Sequence, residues 1–253
     1  MRKELCVDKL QVKIFESRRE MGECAGNEIA ACMMELLNEK ELINVMFAAA
    51  PSQNETLETL CRYPIPWNRV NAFHMDEYAG LDESHPAGFR NFLKRAIFDQ
   101  YNFYSINLID GNAADLEAAM RRYDELLEAH PLDICILGIG ENGHIAFNDP
   151  EVADFNDPVR VKKVKLDDKC RMQQVHDGCF HDISEVPTHA VTVTVPALCA
   201  AGRMFCSVPA ATKAEAVKRL IRGPIGESCP ATAMRNHEGA YLYLDLDSAK
   251  YII

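Results

Sequence analysis

Two short stretches carry residue types suited to proton chemistry. In FHMDEYAGL (73–81), Asp76 and Glu77 follow an apolar run; in LGIGENGHIAFNDP (137–150), His144 follows a glycine-rich turn, with Asn142 just before it and Asp149 just after. A carboxylate together with an imidazole that has its own carboxylate partner is a general acid–base set, each member typically worth ~10²- to 10⁴-fold in rate. Burial would raise the Asp76 pKa toward neutrality and make it a better base. A carboxylate beside His144 would favour its imidazolium form. Adjacent residues on an extended chain point to opposite sides, so one of Asp76 and Glu77 can face a pocket while the other makes an ion pair or caps a helix. Taken singly, each has a plainer reading, as a solvated acid or a surface histidine. Their common placement at or just past strand ends favours the chemical one, because parallel strands bring those ends to one edge.

The hexamer Gly138-Ile139-Gly140-Glu141-Asn142-Gly143 satisfies the dinucleotide-binding pattern G-x-G-x-x-G. That fingerprint also needs a helix opening at its last glycine and an acid about 20 residues on. Here Pro150 interrupts soon after Gly143, and PVRVKKV stands where the acid is wanted. No nucleotide cofactor is therefore expected; the glycines are better explained as letting backbone pass close to a small ligand. A metal is the competing use of His and Asp. His74 and Asp76 could share a strand face, and His85, His176 and His181 are at hand, yet neither H-x-x-x-H nor H-E-x-x-H occurs. No metal is expected.

Positioning such groups requires a sheet, and the chain alternates short apolar runs with helical patterns, the signature of an α/β fold. Strands are expected at 12–15, 42–50, 69–75, 132–138, 159–166, 189–195, 203–208 and 240–245. Ser17-Arg18-Arg19-Glu20 has capping-box form before an apolar face of Met21, Ala25, Ile29 and Met33. Further helices are expected around Phe89–Ala96, after Asn112, and in TKAEAVKRLIRG, where Gly223 suits a left-handed cap. The 253 residues show no repeat or linker and read as a single domain, 1–253. Net charge is −11 without a basic run, which argues against nucleic acid as partner. No stretch approaches the roughly 18 apolar residues of a membrane span, and no secretory leader is evident. Ten cysteines form no C-x-x-C pair, and several lie within apolar runs as small hydrophobes. A reduced, cytoplasmic protein is expected.

The two motifs, with CPATAMRNH near 229–237, resemble the glucosamine-6-phosphate deaminase family from about residue 10 to the C-terminus. That family shares its fold with 6-phosphogluconolactonase and ribose-5-phosphate isomerase. The resemblance implies a Rossmann-like, mostly parallel sheet flanked by helices and a small amino-sugar phosphate as substrate, with no cofactor. It implies aldose–ketose isomerisation with loss of ammonia, and it allows a homo-oligomer. Asp76 matches the base that removes the C2 proton, and His144 the group that opens the sugar ring. Asn142 stands where some members carry Asp, and Asp149 where the family usually has Glu, one methylene longer.

Substrate contacts carried over or inferred are Ser52, Gln53, Glu77, Gly140, Gly143, Arg171, His176 and Lys213. Lys213 matches the family's phosphate lysine and Arg171 the first arginine of its later segment, whereas His176 replaces the phosphate arginine. The usual glycine-rich phosphate loop reads Ala50-Pro51-Ser52-Gln53-Asn54-Glu55, without glycine and with an added acid. Against that resemblance the catalytic end is largely intact and the phosphate end rebuilt. Two other functions fit such a pocket. One is sugar-lactone hydrolysis, with His144 activating water; the other is a non-catalytic sugar-phosphate sensor.

Overall fold

The apolar runs fold into strands because alternate residues can bury on opposite faces. A computed structural model describes residues 3–253. In chain order the strands are β1 (Lys3–Val7), β2 (Leu10–Phe15), β3 (Ile43–Phe47), β4 (Val70–His74), β5 (Asp76–Tyr78), β6 (Ser105–Asn107), β7 (Ile134–Leu137), β8 (Val161–Lys165), β9 (His189–Val193), β10 (Arg203–Val208) and β11 (Ala240–Asp245). The helices are α1 (Arg18–Glu39), α2 (Asn54–Leu60), α3 (Phe89–Leu93), α4 (Leu116–Ala129), α5 (Asp168–His176), α6 (Val195–Cys199), α7 (Ala214–Arg222) and α8 (Leu246–Ala249).

Eight strands form one sheet in the order β1-β2-β11-β10-β7-β3-β4-β6. β1 runs antiparallel to β2, and every other neighbouring pair is parallel. Ile134 and Ile136 of β7 enter the core shared with α1, α2 and α3, while Cys135 and Leu137 enter the core shared with α4, α6, α7 and α8. Both faces are thus covered, as a parallel sheet requires. Cys135 and Cys206 pack there as small hydrophobes. Among the described residues, no helix is long and apolar enough to cross a membrane.

Several expectations need correction. Strands 159–166 and 189–195 do not join the main sheet: β8 and β9 pair with β5 in a separate antiparallel sheet of three. Asp76 opens that small sheet, with Met75 alone between it and the end of β4. Ser17 does cap α1 by accepting from Glu20 N–H, but the Glu20 carboxylate reaches the backbone of Glu16, so the capping box is displaced by one residue. α4 is capped by Asp115, not opened at Asn112. Gly223 is extended (φ −79°, ψ 171°) and not left-handed; its use is steric, since a Cβ there would lie 2.5 Å from the Arg219 carbonyl oxygen. β1 and β6 carry no apolar run and were not expected; one is an exposed edge strand and the other is three residues long.

Candidate active site

Open parallel sheets place their sites outside the carboxyl ends of the strands, where the order of connection reverses. The segments leaving β3, β4, β7 and β10 converge on such a cleft. They bring Ala48–Ser52, then Met75 and Asp76, then Gly138–Gly140 with His144, then Pro209, Ala210, Thr212 and Lys213 into one wall. Arg18, Phe89, Ala146, Phe147, Gln173, Gln174 and Asp177 complete it.

Asp76 is 7% exposed and faces the cleft, with no hydrogen bond to its carboxylate among the described residues. Burial, and secondarily the adjacent Glu77 charge, push its pKa well above the usual carboxylate range. The end of β4 is fixed by Tyr123 of α4, whose hydroxyl donates to the His74 carbonyl (2.7 Å) and lies 3.1 Å from His74 N–H. Glu77 points the other way. It accepts from the backbone N–H groups of Phe89 and Arg90, opening α3, and from Arg90 Nε at 3.2 Å. Glu77 is therefore a buried helix cap, and the structure places it outside the cleft wall. His74 is buried beside it, and burial holds its imidazole pKa down to about 4, so that it is neutral at pH 7.

Behind His144 lies a buried polar network. His144 Nδ1 stands 2.9 Å from Asp149 Oδ1, at ion-pair distance but out of hydrogen-bond alignment. Asn142 donates through Nδ2 to Asp149 Oδ1 (2.9 Å) and to Asp167 Oδ2 (2.7 Å), while its Oδ1 accepts from His144 N–H (3.0 Å). Asp149 Oδ2 accepts from Asp167 N–H at 3.0 Å. Burial raises the Asp149 pKa, but these donors and the His144 ring outweigh it and hold the carboxyl below its ordinary value. The short aspartate thus reaches its histidine without the extra methylene. Neither Asn142 nor Asp149 lines the cleft; both sit behind His144 and touch it directly.

The glycine turn answers to this histidine. A Cβ on Gly140 would lie 2.2 Å from His144 Cε1, so the imidazole rests directly on glycine backbone. Gly140 N–H also donates to the His144 carbonyl at 2.9 Å, closing the turn. Gly143 lies outside the wall against Cys229.

At the rebuilt end, Ser52 lines the cleft while Gln53 is wholly buried behind it, donating to Ser52 Oγ (3.0 Å) and to the Ser207 carbonyl (3.3 Å). Lys213 is 5% exposed, and its ammonium has no ion pair or hydrogen bond among the described residues; burial lowers its pKa against the opposing pull of Asp177 and Glu141. Arg171 is not in the wall: its guanidinium donates to the Ile183 and Val186 carbonyls (2.6 and 3.0 Å), tying α5 to the following turn. His176 is half-exposed, pairs with Glu141 Oε1 at 3.2 Å and also lies outside the wall. Reasoning from sequence missed Arg18, Gln173, Gln174, Asp177 and Thr212. The polar run of α5 was a visible signal for Gln173 and Gln174; nothing local marks Arg18.

Among the described residues, the group of three His, Cys or acidic donors close enough to share a cation is His144, Asp149 and Cys170, within 4.8 Å of one another. Both Asp149 oxygens already accept N–H groups, and burial with Asp149 and Asp167 nearby keeps the Cys170 thiol protonated. With both carboxylate oxygens engaged and the thiol held protonated, the trio fits a cation poorly.

Comparison with known proteins follows the same lines. The family described as glucosamine-6-phosphate isomerases/6-phosphogluconolactonase matches residues 16–243. A glucosamine-6-phosphate deaminase of Bacillus cereus is 30% identical over 239 residues, 94% of this chain and 88% of the relative; one of Bacillus anthracis matches equally. A solved structure of a monomeric glucosamine-6-phosphate deaminase superposes with a TM-score of 0.85 at 28% identity, covering 94% of this chain and 98% of that one. A 6-phosphogluconolactonase from Thermotoga maritima gives 0.75 at 21% identity, over 94% of this chain and 100% of that one, and shares the fold.

Proposed function

The chain belongs to the glucosamine-6-phosphate isomerase/6-phosphogluconolactonase family, and on that premise we propose that it deaminates and isomerises glucosamine 6-phosphate or a close amino-sugar phosphate. The observation that carries this reading is Asp76: a buried, unpaired carboxylate of raised pKa facing a cleft that also holds His144. A base that must take a carbon-bound proton gains from such a shift, because its proton affinity moves toward the operating pH.

In this reading His144 carries a proton to the ring oxygen as the pyranose opens. Asn142 and Asp149 orient it. Asp76 then removes the C2 proton to give an enolamine and returns a proton to C1. Water adds at C2 of the resulting imine, and ammonia leaves, giving a 2-keto sugar phosphate. The assignment to amino-sugar catabolism in a reduced cytoplasm belongs to the same proposal.

The test is ammonia release from glucosamine 6-phosphate by the purified protein, with Asp76→Asn alongside. Release at least ~10³-fold slower in the variant is expected for loss of the base. Equal traces from both proteins would overturn the reading.

A further inference from the structure

The inference concerns the anion end of this cleft and rests on the reading that its substrate is phosphorylated. The two lysine or arginine side chains in the wall, among the described residues, are Lys213 and Arg18. The cations expected there from resemblance are engaged elsewhere, Arg171 with carbonyls and His176 with Glu141. We propose that Arg18 is the second cation that binds the substrate's phosphate, beside Lys213, and that Glu55 tethers it and tempers its affinity.

Arg18 is the first residue of the 22-residue α1, where a cation faces the positive end of the helix dipole. Helix stability does not explain its presence. α1 and α2 cross closely: a Cβ on Gly22 would lie 2.4 Å from Glu55 Cβ. This contact sets Glu55 against Arg18, with Nε 2.8 Å from Oε1. Nη2 donates to the Pro51 carbonyl, which places the guanidinium against the loop that presents Ser52. A guanidinium has five N–H donors. Two are used, and the pair on Nη1 with the second on Nη2 have no acceptor among the described residues. That is the edge with which arginine grips a phosphate.

The two loops concerned are joined. Gln53 Nε2 donates to the Ser207 carbonyl at the end of β10, and Ser52 Oγ and Gln53 Nε2 both pack over Gly138. Arg18, held against the Ser52 loop through the Pro51 carbonyl, and Lys213, on the turn that follows β10, therefore line the cleft where these two loops are joined. Lys213 is a buried cation without a counter-ion in contact, and a phosphate would supply one. The acid that makes Ala50–Glu55 look hostile to phosphate is spent on holding Arg18. Its second oxygen is buried without a partner, so the tether is single-pronged.

The experiment measures inorganic phosphate binding by calorimetry for the wild type, Arg18→Met and Glu55→Gln, and the kcat/KM ratio of glucosamine 6-phosphate over glucosamine. Arg18→Met should weaken phosphate binding and shrink that ratio by roughly tenfold or more, as loss of a charge-assisted contact does. Glu55→Gln should tighten phosphate binding several-fold, because it frees the guanidinium's charge. A folded Arg18→Met protein that binds phosphate like the wild type overturns the proposal, as does a wild type with no phosphate binding at millimolar concentration. If Arg18→Met does not fold, Glu55→Gln decides, with unchanged or weaker binding counting against the proposal. Arg18-dependent phosphate binding without ammonia release from any amino-sugar phosphate would sink the deaminase reading and leave this one standing.

Discussion

The Asp76 carboxylate sits in a place that favours its protonated form, which has consequences for stability as well as rate. Its folded pKa is raised by burial, whereas the unfolded chain returns it to about 3.9. Between those values the folded state binds more protons than the unfolded state, so stability is full below the unfolded pKa and falls as pH rises toward the folded one. Asp76→Asn keeps the shape and removes the charge. Its free energy of unfolding should match the parent's near pH 3.5 and exceed it increasingly toward pH 7, by roughly 1 to 3 kcal/mol, the usual cost of a buried polar group without a partner. A variant less stable than the parent at pH 7 would show that the carboxylate has stabilising partners in the fold. His144, Asn142 and Asp149 were visible in the sequence because they lie within eight residues and meet through one local turn. Spacing alone did not show which of Asp76 and Glu77 faced the cleft, since alternation on a strand leaves both sides open until α3 claims Glu77; only the family resemblance singled out Asp76. Arg18 was hidden because its role depends on a helix crossing.

At the scale of elements, two non-glycine residues of the cleft wall have positive φ, Ala146 (48°) and Ala210 (82°). Ala210 pairs that φ with ψ 148°, a region close to glycine-only, and is followed by the turn Ala211–Lys213 that delivers Lys213. Its N–H is held by Asp245 Oδ2 at 3.0 Å, so β11 helps to enforce the conformation. Such a residue costs about 1–3 kcal/mol, and glycine would relieve most of it while adding about 0.4–1 kcal/mol of unfolded-chain entropy. Ala210→Gly should therefore raise stability by about 1 kcal/mol in urea unfolding. A lower stability would mean that the backbone there is unstrained. No sequence pattern signals this turn, because an alanine carries no mark of an unusual φ. The long apolar strands were legible for the opposite reason: burial on both faces writes itself into composition. β8 and β9 alternate like strands of any sheet, so their pairing with β5 apart from the parallel strands could not be read from periodicity.

At the scale of the molecule, the ten cysteines form no disulfide, and their burial turns them into a gauge of global opening. Cys135, Cys170, Cys206 and Cys229 are buried and the remainder partly so, except Cys6, which is exposed on β1. Burial pushes the thiols of Cys24, Cys32 and Cys179 up to about 11 and that of Cys199 up to about 12, away from the reactive thiolate. At pH 8 a thiol-specific reagent should therefore modify Cys6 fast and the others slowly, at rates that follow opening of the structure. In urea all ten should react. Because Cys135 and Cys206 lie in adjacent strands at the middle of the sheet, their labelling requires the sheet itself to part, and its free energy should approach that of global unfolding. Cys170 tests the site in the same experiment. It underlies the His144–Asp149 pair on α5, so labelling of Cys170 well before Cys135 would show that the wall carrying Gln173, Gln174 and Asp177 opens independently of the sheet. Labelling of the two together would make that wall as rigid as the core, with the acid–base pair and its sheet forming one cooperative unit.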